Sequence, residues 1–230
     1  MRQNISIAKY LVIDTETTGL NPTKHGLIQM AALALDSELQ IVAEYNEYIC
    51  PPEGTEFDPE AQTIHNIPRS KVDNGLNYTE FADSFIDFIS DNFNTKPIIV
   101  AQFFAFDYGF LTSVFDQAME LDSDIKIRLK VENESQSGVF NTLLSRNFID
   151  TKALASVMNL KAELISKPPY FQETSLSKYG GLKDTLGIPQ DKFQAHDALA
   201  DCYATREVLE KMIDLIDLVA IVPPVIEEEV

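Results

Sequence analysis

Two acidic residues stand one position apart in Asp14-Thr15-Glu16, directly after an apolar run at residues 10–13. Because side chains alternate along a strand, Asp14 and Glu16 point to one side of it and Thr15 points away. Neighbouring carboxylates repel each other unless protons or cations neutralise them. Their oxygen atoms suit Mg²⁺ or Mn²⁺. The pair therefore predicts a metal site at the end of a strand, and an exposed acidic turn is the alternative.

A histidine and an aspartate stand five positions apart in the segment that begins His196-Asp197 and ends at Asp201. In a continuous helix these two side chains would not share a face. If Asp197 is the N-cap, His196 becomes N′ and Asp201 becomes N4, and those positions meet in the geometry of a hydrophobic staple. The spacing then predicts a histidine that leans over the first turn of a helix. The alternative is that Asp197 only caps the helix and Asp201 is a solvated acid.

A third acidic residue, Asp107, lies between an apolar strand predicted at 97–101 and an amphipathic helix. Ligands collect at such transitions in α/β sheets, although an acid at a helix start needs no function. Together the three groups supply four carboxylates and one histidine. That set could bind two metal ions for in-line attack on a phosphodiester. His196 could accept the proton, because imidazoles titrate near neutral pH.

These motifs resemble the histidine-containing (DEDDh) branch of the DEDD-superfamily 3′→5′ exonucleases, which includes polymerase proofreading subunits, oligoribonuclease and ribonuclease T. Asp14 and Glu16 match the first motif, Asp107 the second, and His196 with Asp201 the third, over about residues 8–212. The resemblance implies a ribonuclease H-like fold and two bound Mg²⁺ or Mn²⁺ ions. It also implies release of nucleoside 5′-monophosphates from DNA or RNA 3′ ends, with a histidine general base.

The resemblance also suggests residues that bind the substrate. The segment 64–67 is similar to a family segment whose histidine touches the substrate backbone, so His65 is a candidate phosphate contact. The alternative is a surface histidine in a turn before Pro68. Family members further use the main chain around Thr17 and a following leucine, here Leu20, at the terminal nucleotide.

One departure from the family pattern concerns substrate anchoring. The family commonly has His-Asn five and four residues before its second-motif aspartate, and this chain has Gln102 and Phe103 there. Phe103 is a substrate-binding candidate, because an aromatic ring could stack on a terminal or penultimate base. The alternative is that Phe103 fills the core, as aromatic residues near strand ends usually do.

The elements that must position these residues follow from the apolar pattern. Strands are predicted at 9–13, 27–35 and 38–50, the last two as a hairpin, and at 97–101. Helices are predicted after Thr79 as the cap, after 101, within 148–158, within 175–187, and at 197–218. The polar stretch 120–147 is predicted to be an insertion or mobile loop. The fold class is α/β, with a mixed central sheet flanked by helices. The exonuclease domain spans 1–220, and 221–230 is an acidic tail.

Composition limits the partners. Thirty-six acidic residues against 18 basic ones give a net charge of −18, a poor footprint for a protein that grips long duplexes. We therefore expect single-stranded or frayed 3′ ends of DNA or RNA to be held locally, with metal ions supplying positive charge. No long apolar run or signal peptide is visible, which predicts a cytoplasmic protein without a membrane partner. Cys50 and Cys202 are predicted to be reduced and buried.

Two further hypotheses belong to other functional classes. A catalytically weakened exonuclease-fold module could bind a polymerase or other nucleic-acid machinery, which the altered Gln102-Phe103 pair would fit. A DNA mimic could use the −18 charge, but it would need neither the histidine nor these spacings. The complete set of carboxylates with His196 favours the enzyme, and a polymerase or other protein partner is compatible with it.

Overall fold

The computed structural model describes residues 7–131 and 139–216, and five strands form one sheet within them. The strands are β1 (Tyr10–Thr17), β2 (Leu27–Leu35), β3 (Ile41–Tyr48), β4 (Ile98–Ala101) and β5 (Phe148–Asp150). Their order is β3-β2-β1-β4-β5. The first three strands pair antiparallel, while β4 runs parallel to β1 and β5 runs parallel to β4. The predicted mixed α/β sheet is confirmed.

Helices cover both faces of this sheet. They are α1 (Pro59–His65), α2 (Arg69–Asp73), α3 (Tyr78–Asn92), α4 (Phe104–Leu121), α5 (Ser123–Arg128), α6 (Val139–Thr142), α7 (Thr151–Leu164), α8 (Leu182–Thr185) and α9 (Ala198–Leu215). Leu11 and Ile13 of β1 share a buried cluster with Phe85 of α3 and with apolar residues of α4. Val12 belongs to a second cluster with Leu209 of α9. Alternate residues of β1 therefore serve opposite layers, as the pleat of a strand requires.

Several predicted boundaries were wrong for local reasons. β1 does not stop at Asp14, because its pairing with β2 continues through Asp14↔Ala31 and Glu16↔Gln29. Strand β3 begins at Ile41 rather than at residue 38, because the Asp36 carboxylate accepts main-chain hydrogen bonds from residues 38 and 40 and forms a turn.

Helix α3 is capped by Asn77 rather than by Thr79. The Asn77 side chain accepts hydrogen bonds from the Thr79 and Glu80 N–H groups, and Glu80 accepts one from the Asn77 N–H. This reciprocal pair is a capping box, which satisfies donors at the helix start. The two helices predicted after Thr79 and after residue 101 are present as α3 and α4, and Phe81, Phe85 and the face of α4 from Phe110 to Ala118 are buried.

The prediction of a mobile loop over 120–147 is wrong for the residues of this stretch that the structure describes, 120–131 and 139–147. It carries α5 and α6, and Ile125, Leu129 and Leu144 are buried in the main core. The polar composition hid these regularly spaced anchors. Residues 132–138 and the predicted tail at 221–230 lie outside the described residues.

Of the remaining predictions, some are confirmed and others are wrong. The helical pattern predicted over 175–187 is reduced to α8, whereas the predicted helix at 197–218 corresponds to α9, with residues 217 and 218 outside the described part. Both cysteines are free thiols; Cys202 is buried as predicted, but Cys50 is half-buried. Among the described residues, no helix combines the length and apolar character needed to cross a membrane.

Candidate active site

The first two carboxylates lie on β1, the central strand of the sheet. Asp14 and Glu16 have the same parity as Val12, so they extend from the face of β1 that packs against α9. Both side chains are half-buried. The sequence prediction of two carboxylates on one side of a strand therefore fits the position of β1 above the start of α9.

The start of α9 brings a histidine and a third carboxylate to the same place. Asp197 is the N-cap, and its side chain accepts a hydrogen bond from the Ala200 N–H. His196 has a left-handed backbone with φ of 62°, and its main-chain N–H donates to Asp201 Oδ2 at 2.9 Å. The predicted meeting of N′ and N4 is thus present, although a main-chain hydrogen bond makes it rather than an apolar contact. Glu16, His196 and Asp201 each offer a ligand atom, and these atoms lie within 4.8 Å of one another.

The fourth carboxylate, Asp107, is buried in the first turn of α4, with 3% of its surface exposed. The Thr15 hydroxyl donates a hydrogen bond to Asp107 Oδ1 at 2.7 Å. Thr15 points away from Asp14 and Glu16, as predicted. Its side chain fixes the carboxylate that comes from the opposite layer of the fold.

A residue that sequence reasoning missed, Asp150, holds the start of α4. Its carboxylate accepts hydrogen bonds from the N–H groups of Phe103 and Phe104, at 3.2 and 2.9 Å. The same carboxylate caps α7 through the N–H groups of Lys152 and Ala153. Asp150 therefore ties the end of β5 to two helix starts. An aspartate between a strand and a helix is an N-cap signal that could have identified the capping role, but not the link to Phe103.

The electrostatics of the site favour bound cations. Burial raises the pKa of Asp14 well above its ordinary value, and the charges of Asp107 and Asp201 add to the effect. Burial, followed by the charge of Asp201, raises the pKa of Glu16 to about 8. Burial likewise raises the pKa of Asp107 to about 7, against the opposing hydrogen bond from Thr15. Carboxylates that resist ionisation in this way bind either protons or cations.

The environment of Asp201 also favours a bound cation. Burial raises the pKa of its carboxyl, while the hydrogen bond from the His196 N–H opposes the shift. Its Oδ1 atom is buried and has no hydrogen-bond partner among the described residues. A buried acceptor without a partner is costly, and a cation would satisfy it. The donor set fits a divalent cation, since hard carboxylate oxygens are the ligands that such ions prefer.

His65 lies at the end of α1 and is buried rather than in a surface turn, so that alternative is wrong. Its Nδ1 atom accepts a hydrogen bond from the Ile67 N–H at 2.9 Å, which leaves the ring proton of the neutral imidazole on Nε2. Burial lowers the pKa of His65, and the charge of His196 lowers it further. His65 is therefore a neutral donor whose electrostatic environment includes His196.

The loop after β1 is held by hydrogen bonds and by close packing around Gly19. The Thr17 hydroxyl donates to the Gly19 carbonyl at 2.8 Å, and His25 Nδ1 accepts from the Asn21 N–H at 3.0 Å. A Cβ atom at Gly19 would lie 2.6 Å from the His25 ring, so only glycine fits beneath it. This packing gives His25 a structural role that the sequence did not indicate. Leu20 extends from the loop with 80% of its surface exposed.

Gln102 and Phe103, the two residues that depart from the family pattern, have different environments. Gln102 is tied into the fold, because its Nε2 donates to the Thr174 carbonyl and its Oε1 accepts from the Thr151 hydroxyl. Phe103 has a left-handed backbone with φ of 68°, and 49% of its surface is exposed. The core alternative for Phe103 is therefore wrong. Lys152 Nζ lies 4.2 Å from the centre of the Phe103 ring, in a cation–π contact.

Comparison with known proteins identifies the family. The family model described as "RNase_T: Exonuclease" matches residues 11–209. The chain belongs to this exonuclease family. The resemblance to DEDD exonucleases is thus confirmed over most of the chain, and with it an enzyme of the nuclease class.

Similar sequences include polymerases and a ribonuclease. The DNA polymerase III PolC-type protein of Thermotoga maritima is 28% identical over 215 residues, which are 93% of this chain and 12% of that protein. Ribonuclease T of Buchnera aphidicola subsp. Baizongia pistaciae is 26% identical over 213 residues, which are 89% of this chain and 83% of the relative. This exonuclease-family chain therefore spans about an eighth of the PolC-type relatives but most of the ribonuclease T relative.

Solved structures show the same fold. E. coli exonuclease I in complex with a dA16 oligonucleotide aligns with a TM-score of 0.61 and 21% identity, over 90% of this chain and 41% of that one. A 3′-exonuclease described for 3′-end specific recognition of histone mRNA stem-loop aligns with a TM-score of 0.61 and 16% identity, over 92% of this chain and 66% of that one. The ribonuclease H-like exonuclease fold is therefore confirmed.

Proposed function

We propose that this chain is a metal-dependent 3′→5′ exonuclease that releases nucleoside 5′-monophosphates from DNA or RNA ends. The observation that carries the proposal is the approach of Glu16, His196 and Asp201 ligand atoms to within 4.8 Å, in a cluster that also includes Asp14 and Asp107. Membership of the exonuclease family supports a nuclease reaction. The direction of cutting and the mechanism are our own assignment.

The four carboxylates would hold two Mg²⁺ or Mn²⁺ ions. They are Asp14, Glu16, Asp107 and Asp201, and their raised pKa values and the unpartnered Asp201 oxygen support this role. Bound ions of this kind lower the pKa of water and stabilise charge on a phosphodiester in the transition state. Thr15 would keep Asp107 oriented for binding, because ligands are held in place by their own hydrogen bonds.

We assign His196 as the general base rather than as a metal ligand. Its side chain is exposed, whereas Asp107 and Asp201 are buried, so the imidazole is accessible to water at the mouth of the site. The hydrogen bond to Asp201 that fixes the loop comes from the His196 main chain, so it does not engage the imidazole nitrogens. A positioned base of this type typically contributes about 10²- to 10⁴-fold to the rate.

The 3′-terminal nucleotide would lie between the loop after β1 and the end of α1. The His65 Nε2–H would donate to a phosphate oxygen, since Nδ1 is occupied by the Ile67 N–H. Leu20, 80% exposed, would pack against the terminal nucleotide, next to the main chain at Thr17. A single-stranded or frayed end suits such a local site in a chain of net charge −18.

A second candidate function is a polymerase-associated binding module with weakened catalysis, located in the cytoplasm. The replacement at Gln102 and Phe103 and the similarity to PolC-type polymerases favour it. We infer that the acidic segment 221–230 is a tail outside the exonuclease domain, where such a partner could bind.

An assay on DNA and RNA oligonucleotides labelled at either end separates the two functions. The exonuclease proposal predicts a ladder of 5′-labelled products with Mg²⁺ or Mn²⁺, monophosphates released from the 3′ label, and no reaction with a chelator. Binding without cleavage under every metal condition would support the binding module instead. Running matched DNA and RNA side by side also gives the sugar preference.

A further inference from the structure

An aromatic cavity of about 590 Å³ opens beside Phe103, between α4, α6 and the start of β5. Ligand sites for small molecules commonly measure about 300–1,000 Å³. Its walls include the rings of Phe103, Tyr108, Phe140 and Phe148. The cavity is distinct from the carboxylate cluster, because none of the proposed metal ligands lines it. It opens at the start of α4.

Three of the four rings are exposed to solvent. Phe103, Tyr108 and Phe148 are 49%, 45% and 52% exposed, and they are three of the five exposed aromatic side chains in the described part of the chain. Tyr108 stacks on buried Phe140 with ring centres 4.4 Å apart. Phe148 rests on Phe104 with ring centres 4.6 Å apart. The exposed rings are therefore held in fixed orientations, which favours planar ring systems as ligands.

The charges around the cavity narrow the ligand class. Lys152 holds its ammonium 4.2 Å from the Phe103 ring, and Arg146 lines the cavity. Asp116 also lines it and could accept a hydrogen bond from an exocyclic amino group. Asp150 is engaged by four main-chain N–H groups. Aromatic faces beside cations, in a chain of net charge −18, suit a nucleotide in which a base stacks and a phosphate meets the cations.

The distance from the carboxylates fits a strand already engaged at its 3′ end. Phe103 stands four residues before Asp107, and Tyr108 and Thr112 follow along α4 at helical spacing. Four residues of helix span about 6 Å, and one nucleotide of a stacked strand spans about 3.4 Å. The mouth of the cavity at Phe103 is therefore separated from Asp107 by roughly two nucleotide steps along the helix, upstream of the bond that would be cut.

We propose that this cavity binds an unpaired base of the substrate strand, roughly two nucleotides upstream of the bond that would be cut, stacked against Phe148 and Tyr108. The inference rests on the proposed exonuclease function. It adds a requirement for a short single-stranded segment, because a base inside the cavity cannot remain paired. Duplex ends must therefore fray over that length before they enter the carboxylate site.

The test uses ten-nucleotide single strands of DNA that carry one abasic position at each of the first six places from the 3′ end. Affinity for the full chain is measured by fluorescence anisotropy in the presence of a chelator, so that no strand is cut. Loss of one stacked base weakens binding by about 5- to 150-fold. We expect this loss at one or two adjacent upstream positions and little change beyond them.

The variant Phe148→Ala then tests whether the cavity causes the loss of affinity for the abasic strand. Phe148 is half exposed, so its removal should leave thermal unfolding nearly unchanged, and Tyr108→Ala provides a second variant. In Phe148→Ala the intact strand should bind as weakly as the abasic strand does to the original protein, with no further loss from the abasic position. Tyr179→Ala, at a 96% exposed aromatic residue outside the cavity, is the matched control and should behave as the original protein.

Equal affinity for all six abasic strands would overturn the proposal. So would an abasic penalty that is the same in the original protein and in Phe148→Ala, and either result would leave the cavity for a protein partner. Cleavage of the intact strand with Mg²⁺ is measured in parallel. A chain that cuts without an upstream penalty loses the cavity proposal alone, whereas one that shows the penalty but never cuts loses the exonuclease proposal alone.

Discussion

The Thr15 hydroxyl donates a 2.7 Å hydrogen bond to Asp107 Oδ1, across 92 positions of sequence. Thr15 lies between Asp14 and Glu16 on β1, and its side chain points to the opposite side of the strand. One tripeptide therefore supplies two carboxylates directly and fixes a third through the residue between them. The contact joins the central strand to the first turn of α4, where Asp107 is buried.

Replacing Thr15 with valine should weaken metal binding while the fold remains. The valine keeps the shape of the side chain but removes the donor that lowers the pKa of Asp107. A group that orients a metal ligand typically affects affinity by about 10- to 100-fold. The concentration of Mg²⁺ or Mn²⁺ that gives half-maximal cleavage measures this effect. Thr15→Ser, which keeps the hydroxyl, should stay close to the original protein, and equal metal requirements in both variants would contradict the role.

The stability of the metal-free protein should fall as pH rises. The pKa of Glu16 is about 8 and that of Asp107 about 7 in the folded protein, above their ordinary values of 4.5 and 3.8. Between the ordinary and the raised pKa values, the folded state thus binds more protons than the unfolded state. The contribution of these two groups to the free energy of unfolding is therefore complete below about pH 4. It is lost progressively as the pH rises to about 8. Urea unfolding in chelator at pH 5, 7 and 9 measures the trend.

Two comparisons locate the cause of that pH dependence. Asp14→Asn removes one of the repelling charges and should flatten the decline, whereas Asp91→Asn, at an exposed residue of α3, should leave it intact. Mg²⁺ should restore stability at pH 9 in the original protein, because a ligand that binds the folded state stabilises it. A midpoint that does not change with pH in metal-free protein would show that burial and the neighbouring charges do not raise the pKa values of these carboxyl groups.

Loss of the His196 imidazole should slow cleavage by about 10²- to 10⁴-fold at neutral pH. His196→Asn is the sharper variant and His196→Ala its companion, because asparagine tolerates the left-handed backbone at φ of 62° and keeps the main-chain bond to Asp201. Partial recovery at high pH, where hydroxide is plentiful, is expected in both. Metal affinity, followed by calorimetric titration with Mn²⁺, should be retained. An unchanged pH–rate profile would count against the general-base role.

Phe103→Ala should weaken oligonucleotide binding by about 5- to 150-fold with little change in the melting temperature, as stacking on an exposed ring implies. Its 49% exposure excludes the loss of about 3–5 kcal/mol expected for a buried phenylalanine. Phe103→Asn provides a control for the backbone, since asparagine suits φ of 68° and should unfold at the same or a higher temperature. Oligonucleotide titration and thermal unfolding of both variants decide the matter. Unchanged affinity in both would reject the stacking role.

The sequence predicted some elements well because their side chains leave little choice. All nine residues of β2 are buried, and the apolar run, interrupted only by Gln29, marked both ends of that strand. The Asp197 cap and the interval to Asp201 predicted the start of α9, because capping is a local property of the chain. The spacing of Asp14 and Glu16 was also sufficient, since strand alternation fixes their side.

Other features depended on contacts that no local pattern contains. The hydrogen bond between Thr15 and Asp107 and the Asp150 contact with Phe103 both join distant segments. The polar stretch that carries Ile125 buries it against helices α3 and α4, which composition alone could not indicate. The exposure of Phe103 follows from a left-handed backbone that is unusual for an aromatic residue, so propensity favoured the wrong alternative.

The most direct test of the carboxylate assignment compares single-turnover cleavage of a 5′-labelled oligonucleotide by Asp14→Asn, Asp201→Asn and Asp197→Asn. The first two variants remove proposed metal ligands and should lose several orders of magnitude in rate while remaining folded, which thermal unfolding checks. Asp197→Asn removes a charge near the same site but keeps the N-cap, because asparagine caps as well as aspartate, and should retain most activity. Full activity in either Asp14→Asn or Asp201→Asn would contradict the four-carboxylate site.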